Sequence, residues 1–222
     1  MHYFNHVKNT SLNIPELKQI NFNSGRMYET VEGERFPSIT TVLNLYNQNF
    51  ITEWKAKVGE EYANKVASQA ARRGTIIHES IEHYLSNRSV PFISFRQQEL
   101  FKSIKPLLDD INNIHCLEQK LFSRHLKIAG TVDCIAEHEG RLSVIDFKTS
   151  SRTKEKNKIE NYFMQCTAYA IMYEELTGIP IQKIVIMIAV ENDFPQIFIE
   201  KRDNFVKSLL YYRELYRVEK SV

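Results

Sequence analysis

Apolar and polar residues alternate along three successive stretches in the middle of the chain, and this alternation predicts three β-strands. The stretches are CLEQKLFSRHL, IAGTVDCIAEHEG and RLSVIDFKTS, which lie within residues 116–150. A period of two places successive side chains on opposite faces of a sheet. Between the second and third stretches, Glu139 and Gly140 have the composition of a hairpin turn. Further along, QKIVIMIAV and QIFIEKR predict two more strands.

Helical spacing of apolar residues dominates most of the remaining chain. From about Thr52 to Leu85 this spacing predicts one long helix or two consecutive helices, with Gly59 and Gly74 as bends or junctions. The first 25 residues predict no defined element. The other predicted elements are a small hairpin at 26–37, a helix start capped by Ser38 or Thr40, a helix at 95–111 that is kinked or broken near Pro106, a helix closed by Gly178 and a final helix at 202–220.

The order of these elements predicts the fold class. Helices come first, followed by three strands, a helix, two strands and a last helix, which is typical of an α/β (α+β) protein with a mixed central sheet flanked by helices. With 43% hydrophobic and 25% charged residues, the 222-residue chain can bury one sizeable core. We therefore expect a single domain over 1–222, with a mainly helical part at 1–112 and a sheet-containing catalytic core at 113–222.

Charge and cysteine content exclude several classes of protein. A formal charge of +2 does not by itself require a polyanionic partner. The three cysteines form no CxxC pair, which argues against a disulfide framework, a zinc ribbon or an iron-sulphur site. No Walker-type phosphate loop occurs, so no ATP is expected. The first ten residues lack the features of a signal peptide and no apolar run could span a bilayer, so the expectation is a soluble, cytoplasmic protein without a membrane partner.

The stretch VIDFKTS carries two charged residues inside a strand that otherwise looks buried. Asp146 and Lys148 lie two apart and therefore share a face. If Glu139–Gly140 is a two-residue loop, Asp133 falls directly opposite Asp146, with Cβ atoms roughly 4.5–5.5 Å apart. A loop one residue longer would break this register. A structural ion pair at a strand end is the alternative reading.

Two opposed carboxylates beside an ammonium group suit a hard divalent cation, Mg²⁺ or Mn²⁺, better than zinc or iron. Such an ion can activate a phosphodiester for hydrolysis, and the Lys148 ammonium can stabilise the nucleophile or the developing phosphate charge. The same three residues could equally form a structural salt-bridge network.

Four motifs stand in the order found in one enzyme family, and the chain is similar to the PD-(D/E)xK nuclease superfamily, specifically its RecB-like exonuclease branch. The motifs are Gly-Thr-x-x-His ending at His78, Gly-x-x-Asp ending at Asp133, Asp-x-Lys at Asp146 and Lys148, and Gln-x-x-x-Tyr at Gln165 and Tyr169. FPSITTVL and ITEWKAKVGEE also resemble the early region of mitochondrial genome maintenance exonucleases and small phage relatives.

The resemblance implies a restriction-endonuclease-like core and a role for each motif residue. Asp133 and Asp146 would bind the metal, Lys148 would act on the attacking water or the phosphate, and His78 would add a metal ligand or a substrate contact. Glu118 would join the metal shell. Gln165 and Tyr169 would meet the substrate or brace the site, although both also fit a core stripe. Because no cysteine follows Cys166, the iron-sulphur cluster of some relatives is excluded.

Basic residues suggest where a nucleic acid would lie. Arg152 and Lys154 belong to SSRTKEKNK, which directly follows the Asp-x-Lys strand and has the composition of a loop. Arg73 lies on the long helix beside the histidine motif. A solvated charged face is the alternative for each of them.

Three functions remain open at this point. The first is a metal-dependent DNA exonuclease that acts on single-stranded DNA or free ends, in replication, repair or recombination with proteins of those pathways as partners. The second is a nuclease-fold protein that binds nucleic acid without cutting it. The third is an endonuclease with the same metal site. A phage-encoded origin is left open.

Overall fold

The computed structural model describes residues 2–7, 14–23, 25–91 and 93–220. Within these ranges the helices are α1 (Ile39–Val58), α2 (Glu60–Leu85), α3 (Phe95–Leu108), α4 (Glu160–Thr177) and α5 (Val206–Lys220). The strands are β1 (Leu17–Phe22), β2 (Gly25–Thr30), β3 (Arg35–Pro37), β4 (Ile111–Ser123), β5 (Ile128–His138), β6 (Arg141–Ser150), β7 (Lys183–Val190) and β8 (Gln196–Lys201). Short 3-10 turns lie at Lys156–Lys158 and Arg202–Phe205.

A five-stranded mixed sheet forms the centre of the protein, in the order β4-β5-β6-β7-β8. All neighbours are antiparallel except β6 and β7, which are parallel and joined through α4. Alternate residues pack on opposite sides, since Ile145 and Phe147 lie in the cluster with α2 and α3, whereas Val144 and Ile186 pack with α4. The predicted α/β fold with a mixed sheet flanked by helices is confirmed.

The N-terminal part contains more strand than the sequence indicated. The hairpin at 26–37 is confirmed as β2 and β3, but β1 precedes it and completes a three-stranded antiparallel sheet. This strand was missed because LKQINF alternates only weakly. Residues 8–13, also among the first 25, lie outside the described residues. The division of the chain at residues 112 and 113 stays a prediction, and the central sheet begins at Ile111.

Two consecutive helices occupy the region that allowed one or two. The Ser38 hydroxyl caps α1 by accepting from the Thr40 amide, and Gly59, at a φ of 87°, separates α1 from α2. Gly74 is not a junction between helices, because α2 continues through it. A Cβ placed on Gly74 would meet only Thr149 Oγ1, at 3.9 Å, so α2 passes close to the end of β6.

Strands β5 and β6 separate half-way along their length. Their pairing runs from His138–Arg141 at the turn to Cys134–Ile145. Beyond that point, β5 continues to pair with β4 and β6 with β7, and Ala129 of β5 also forms an isolated bridge with Ser38. The two-residue turn is confirmed, with positive φ angles at Glu139 and Gly140. The next positions in this register are 133 and 146, so both aspartates lie where the sheet opens.

No helix in the described ranges is both long enough and apolar enough to cross a membrane.

Candidate active site

Asp133 occupies the opening between β5 and β6. Its Oδ2 accepts a hydrogen bond from the Phe147 amide at 2.8 Å, which satisfies a backbone donor that the neighbouring strand no longer reaches. From the other side, α2 brings His78 Nδ1 to 3.7 Å from the same oxygen. The histidine motif and the Gly-x-x-Asp motif, 55 positions apart in sequence, thus meet at one carboxylate.

Glu118 completes a group of three side chains that could hold a metal ion. One ligand atom from each of His78, Glu118 and Asp133 lies within 4.8 Å of the other two. Glu118 faces Asp133 because the flanking pairs Leu117–Cys134 and Gln119–Val132 are in register. Its φ is 46°, in the left-handed region that non-glycine residues rarely adopt. Such backbone outliers cluster at functional sites.

Glu118 lies among other carboxylates. Burial and the negative charges of Asp133, Glu82 and Asp146 raise the pKa of Glu118 to about 8. The side chain is nevertheless open to solvent, so an ion can reach it. Sequence reasoning missed Glu82, although it stands four residues after His78 and hence on the same helical face.

Asp146 is not one of the three side chains whose ligand atoms lie within 4.8 Å of one another. Its carboxylate is 1% exposed, Oδ1 accepts from Gln165 Nε2 at 3.1 Å, and Oδ2 forms an ion pair with Lys148. Among the described residues Oδ2 has no hydrogen-bond partner in good geometry. The expectation that Asp133 and Asp146 share one ion stays a prediction, although the backbone pairing of β5 and β6 ends at Cys134–Ile145. The strands part at this level, and Lys148 draws the Asp146 carboxylate toward itself.

The two aspartates still influence each other and Lys148. Burial raises the pKa of Asp146, Lys148 opposes this shift, and the charge of Asp133 adds to it. Burial acts to lower the pKa of the Lys148 ammonium group. The negative charges of Asp146 and Asp133 outweigh this effect and raise that pKa. Both carboxylates thus favour the ammonium form of Lys148.

Gln165 and Tyr169 lie on the inner face of α4. Tyr169 is 2% exposed and packs against Gly130, where an added Cβ would fall 2.7 Å from the ring and 2.9 Å from the hydroxyl oxygen. Glycine in the Gly-x-x-Asp motif is thus required for close approach. The predicted nucleic-acid contact of Tyr169 is corrected, since its ring lies in the core beneath the site. Gln165 braces Asp146 instead of facing solvent.

Tyr162 is a neighbour of Lys148 that no motif indicated. The Lys148 ammonium lies 5.1 Å from the centre of the Tyr162 ring, within the range of a cation-π contact. Tyr162 stands three residues before Gln165, so helical spacing could have placed it on this face.

The three basic residues that were predicted to bind nucleic acid, Arg73, Arg152 and Lys154, lie near the end of β6. Arg73 Nε donates to Thr149 Oγ1 at 3.4 Å, and its guanidinium lies 3.5 Å from Glu191. Burial, together with the nearby Arg152 and Arg73, lowers the pKa of Lys154. The structure therefore brings all three cations to the strand that carries Lys148.

Comparisons with known proteins agree with this site. The family described as PD-(D/E)XK nuclease superfamily matches residues 95–192. Residues 95–192 are therefore similar to this superfamily. The match to this nuclease superfamily includes Glu118, Asp133, Asp146, Lys148 and Gln165, whereas His78 lies before it.

Two curated relatives carry the name mitochondrial genome maintenance exonuclease 1. The human protein is 32% identical over 131 residues, which cover 53% of this chain and 38% of that protein. The mouse protein is 29% identical over 173 residues, which cover 72% of this chain and 51% of that protein. The chain therefore spans about half or less of the length of these relatives. A crystal structure from Eubacterium rectale, of a protein named as an exonuclease, has a TM-score of 0.48 and 14% identity, and the match covers 68% of each chain.

Proposed function

We propose that this nuclease is a metal-dependent DNA exonuclease that hydrolyses phosphodiester bonds at free ends or in single-stranded DNA. The observation that carries this proposal is the convergence of His78, Glu118 and Asp133 beside the buried pair of Asp146 and Lys148. Exonuclease activity and a DNA substrate are inferred partly from the names of the relatives. Processing of DNA during replication, repair or recombination, with proteins of those pathways, follows from the same inference.

The donor atoms fit a divalent cation. Two carboxylates and an imidazole within 4.8 Å of one another form an oxygen-rich set that suits Mn²⁺ and Mg²⁺. The carboxylates of Asp133 and Glu82 near Glu118 also suit a cation, since their charges add to the effect of burial in raising the pKa of Glu118. Asp146 is proposed as a further ligand, since Lys148 alone partners its buried Oδ2. A bound divalent ion would act as a Lewis acid on the scissile phosphodiester.

The protein's own residues supply charge and orientation. The Lys148 ammonium, held by Asp146 and the Tyr162 ring, is a preorganised positive charge for the additional negative charge of the phosphoryl transition state. Gln165 fixes the Asp146 carboxylate from α4, so the position of Lys148 depends on that helix as well. His78 can serve as a metal ligand or as a hydrogen-bond donor to the phosphate.

The α1–α2 region supports a preference for unpaired bases. Between Leu43 and Ile77 the single buried residue is Ala63, so this stretch has little contact with the core. Phe50 and Tyr62 are 66% and 59% exposed, and exposed aromatic rings beside basic residues are typical of single-strand binding. The basic residues of the same stretch are Lys55, Lys57, Lys65, Arg72 and Arg73.

Nuclease assays on linear and circular DNA test the proposal directly. With Mn²⁺ or Mg²⁺, an end-labelled linear single strand should be degraded, and a circular single strand of the same sequence should survive. Lys148→Ala and Asp146→Asn should each abolish this activity. Cleavage of the circle would favour the endonuclease alternative, and binding without cleavage in the unaltered chain would favour the non-cleaving one.

A further inference from the structure

The loop after β6 presents two cations that no acidic side chain neutralises. Its sequence, SSRTKEKNK, contains four basic residues. Lys156 forms an ion pair with Glu200, and Lys158 forms one with Glu155 at 2.6 Å. Within the part of the chain that the structure describes, neither Arg152 nor Lys154 has such a partner. The loop therefore carries a local excess of positive charge next to the Asp-x-Lys strand.

Two polar side chains hold the backbone of this loop. The Ser150 hydroxyl donates to the Arg152 carbonyl at 2.5 Å, and its oxygen accepts from the Arg152 amide at 3.3 Å. The side chain of Gln196, on β8, likewise forms hydrogen bonds with both backbone groups of Lys154. Its Oε1 accepts from the Lys154 amide at 2.7 Å, and its Nε2 donates to the Lys154 carbonyl at 3.0 Å.

These contacts give the loop a fixed shape without β-pairing. The Gln196 amide satisfies both backbone groups of Lys154, much as a residue of a neighbouring strand would. A loop that is already ordered loses little conformational entropy when a ligand binds, so its cations can contribute more to affinity than those of a mobile loop. Positive charges also lie close together here. Burial lowers the pKa of Lys154, and the charges of Arg152 and Arg73 add to this shift.

The nearby acidic residues leave this charge in place. Glu191 is half-buried and its amide donates to the Ser150 carbonyl, and one of its carboxylate oxygens pairs with Arg73 at 3.5 Å and with Arg96 at 3.1 Å. Glu155 is exposed and pairs with Lys158. An anion that approaches Arg152 and Lys154 would therefore meet cations whose charge the protein does not offset.

We propose that residues 150–154 form a preorganised site for the phosphodiester backbone of the bound strand, with Gln196 as the positioning residue. This inference rests on the proposed nuclease function, since it assigns the site that holds the strand next to the bond that is cut. Arg152 and Lys154 contact phosphates, and Gln196 acts through the loop without touching the substrate. No role for position 196 is implied by the motifs of the superfamily.

Binding of a fluorescent single-stranded oligonucleotide, measured by anisotropy in EDTA so that no cleavage occurs, tests the site. Lys154→Gln should weaken binding about fivefold at 0.1 M salt and reduce the slope of log affinity against log salt by about 0.7, as expected for one lost phosphate contact. Lys158→Gln is the matched control, because that lysine is exposed and already paired with Glu155. Equal effects of the two substitutions would overturn the proposal.

The role of Gln196 needs variants that separate positioning from folding. Gln196→Ala should weaken binding and raise KM while kcat and the melting temperature stay unchanged. Gln196→Glu keeps the acceptor for the Lys154 amide but adds a negative charge beside the loop, so it should bind more weakly than Gln196→Ala. Unaltered binding in Gln196→Ala would contradict the assignment.

Two comparisons distinguish the possible failures. If a terminal phosphate monoester were the ligand, removing the end phosphates of the oligonucleotide would abolish the effect of Lys154→Gln, and the backbone site would be wrong. If Lys154→Gln weakens binding and Lys158→Gln does not, but the unaltered chain never cleaves DNA with Mn²⁺, the binding site stands and the nuclease proposal fails. If Lys154→Gln and Lys158→Gln bind equally well while the unaltered chain cleaves DNA, the nuclease proposal stands and the binding site fails.

Discussion

Gln165 Nε2 lies 3.1 Å from Asp146 Oδ1, and this hydrogen bond ties α4 to the strand that carries Lys148. Gln165→Leu would leave a buried carboxylate oxygen without its donor, which costs about 1–3 kcal/mol. We expect the free energy of unfolding to fall by that amount and the Mn²⁺-dependent nuclease activity to fall with it. Urea unfolding and the linear-strand assay measure both. Gln69→Leu, at an exposed position of α2, is the control and should change neither.

Gly130 and Tyr169 are in such close contact that no side chain fits between them. Gly130→Ala would place a Cβ 2.7 Å from the Tyr169 ring and 3.1 Å from Ile39, and overpacking of this kind costs about 1–3 kcal/mol. Gly74→Ala offers a contrast inside α2, where it should stabilise by about 0.5–1 kcal/mol because alanine favours a helix. Equal melting temperatures for the two variants would show that the Tyr169 contact does not constrain position 130.

Glu118 should affect metal binding and folding in opposite directions. Glu118→Gln removes one of three converging ligands, so Mn²⁺ affinity measured by calorimetry should fall at least about tenfold. In the metal-free protein the same change removes a carboxylate whose neighbours raise its pKa to about 8, so stability should rise. The control is Glu79→Gln, at an exposed position next to His78. A variant that lost stability but kept its Mn²⁺ affinity would contradict this role.

His138 should make the fold sensitive to mild acid. It is 3% exposed, and its Nδ1 accepts a hydrogen bond from the Lys183 ammonium at 3.0 Å. Burial and the charge of Lys183 lower the pKa of His138, whereas Glu139 and Asp110 oppose this shift. A lowered folded-state pKa means that its contribution to stability is complete above about pH 6.5 and is lost as the pH falls through the folded value. Urea unfolding from pH 7.5 to 5 should show this loss. His138→Gln should reduce the slope in that window.

Local patterns predicted most of the sheet and the helix that follows it. The alternation in β4, β5 and β6, the turn at Glu139–Gly140 and the glycine that ends α4 each depend on residues close together in sequence. The resemblance to a nuclease family correctly identified the superfamily, and the motif residues do meet around one opening.

The arrangement inside that opening could not be read from local patterns. The burial of Tyr169 depends on Gly130, 39 positions away, and the left-handed backbone of Glu118 has no sequence signal. Whether Asp146 faces Asp133 or Lys148 depends on where β5 and β6 separate. Tertiary packing decides each of these features.

Anomalous diffraction from a crystal soaked in Mn²⁺ would examine the metal site most directly. We expect a manganese peak at roughly 2.0–2.6 Å from ligand atoms of His78, Glu118 and Asp133, with Lys148 close by. Manganese bound elsewhere, or no peak beside these three side chains at a concentration that supports cleavage, would contradict the account.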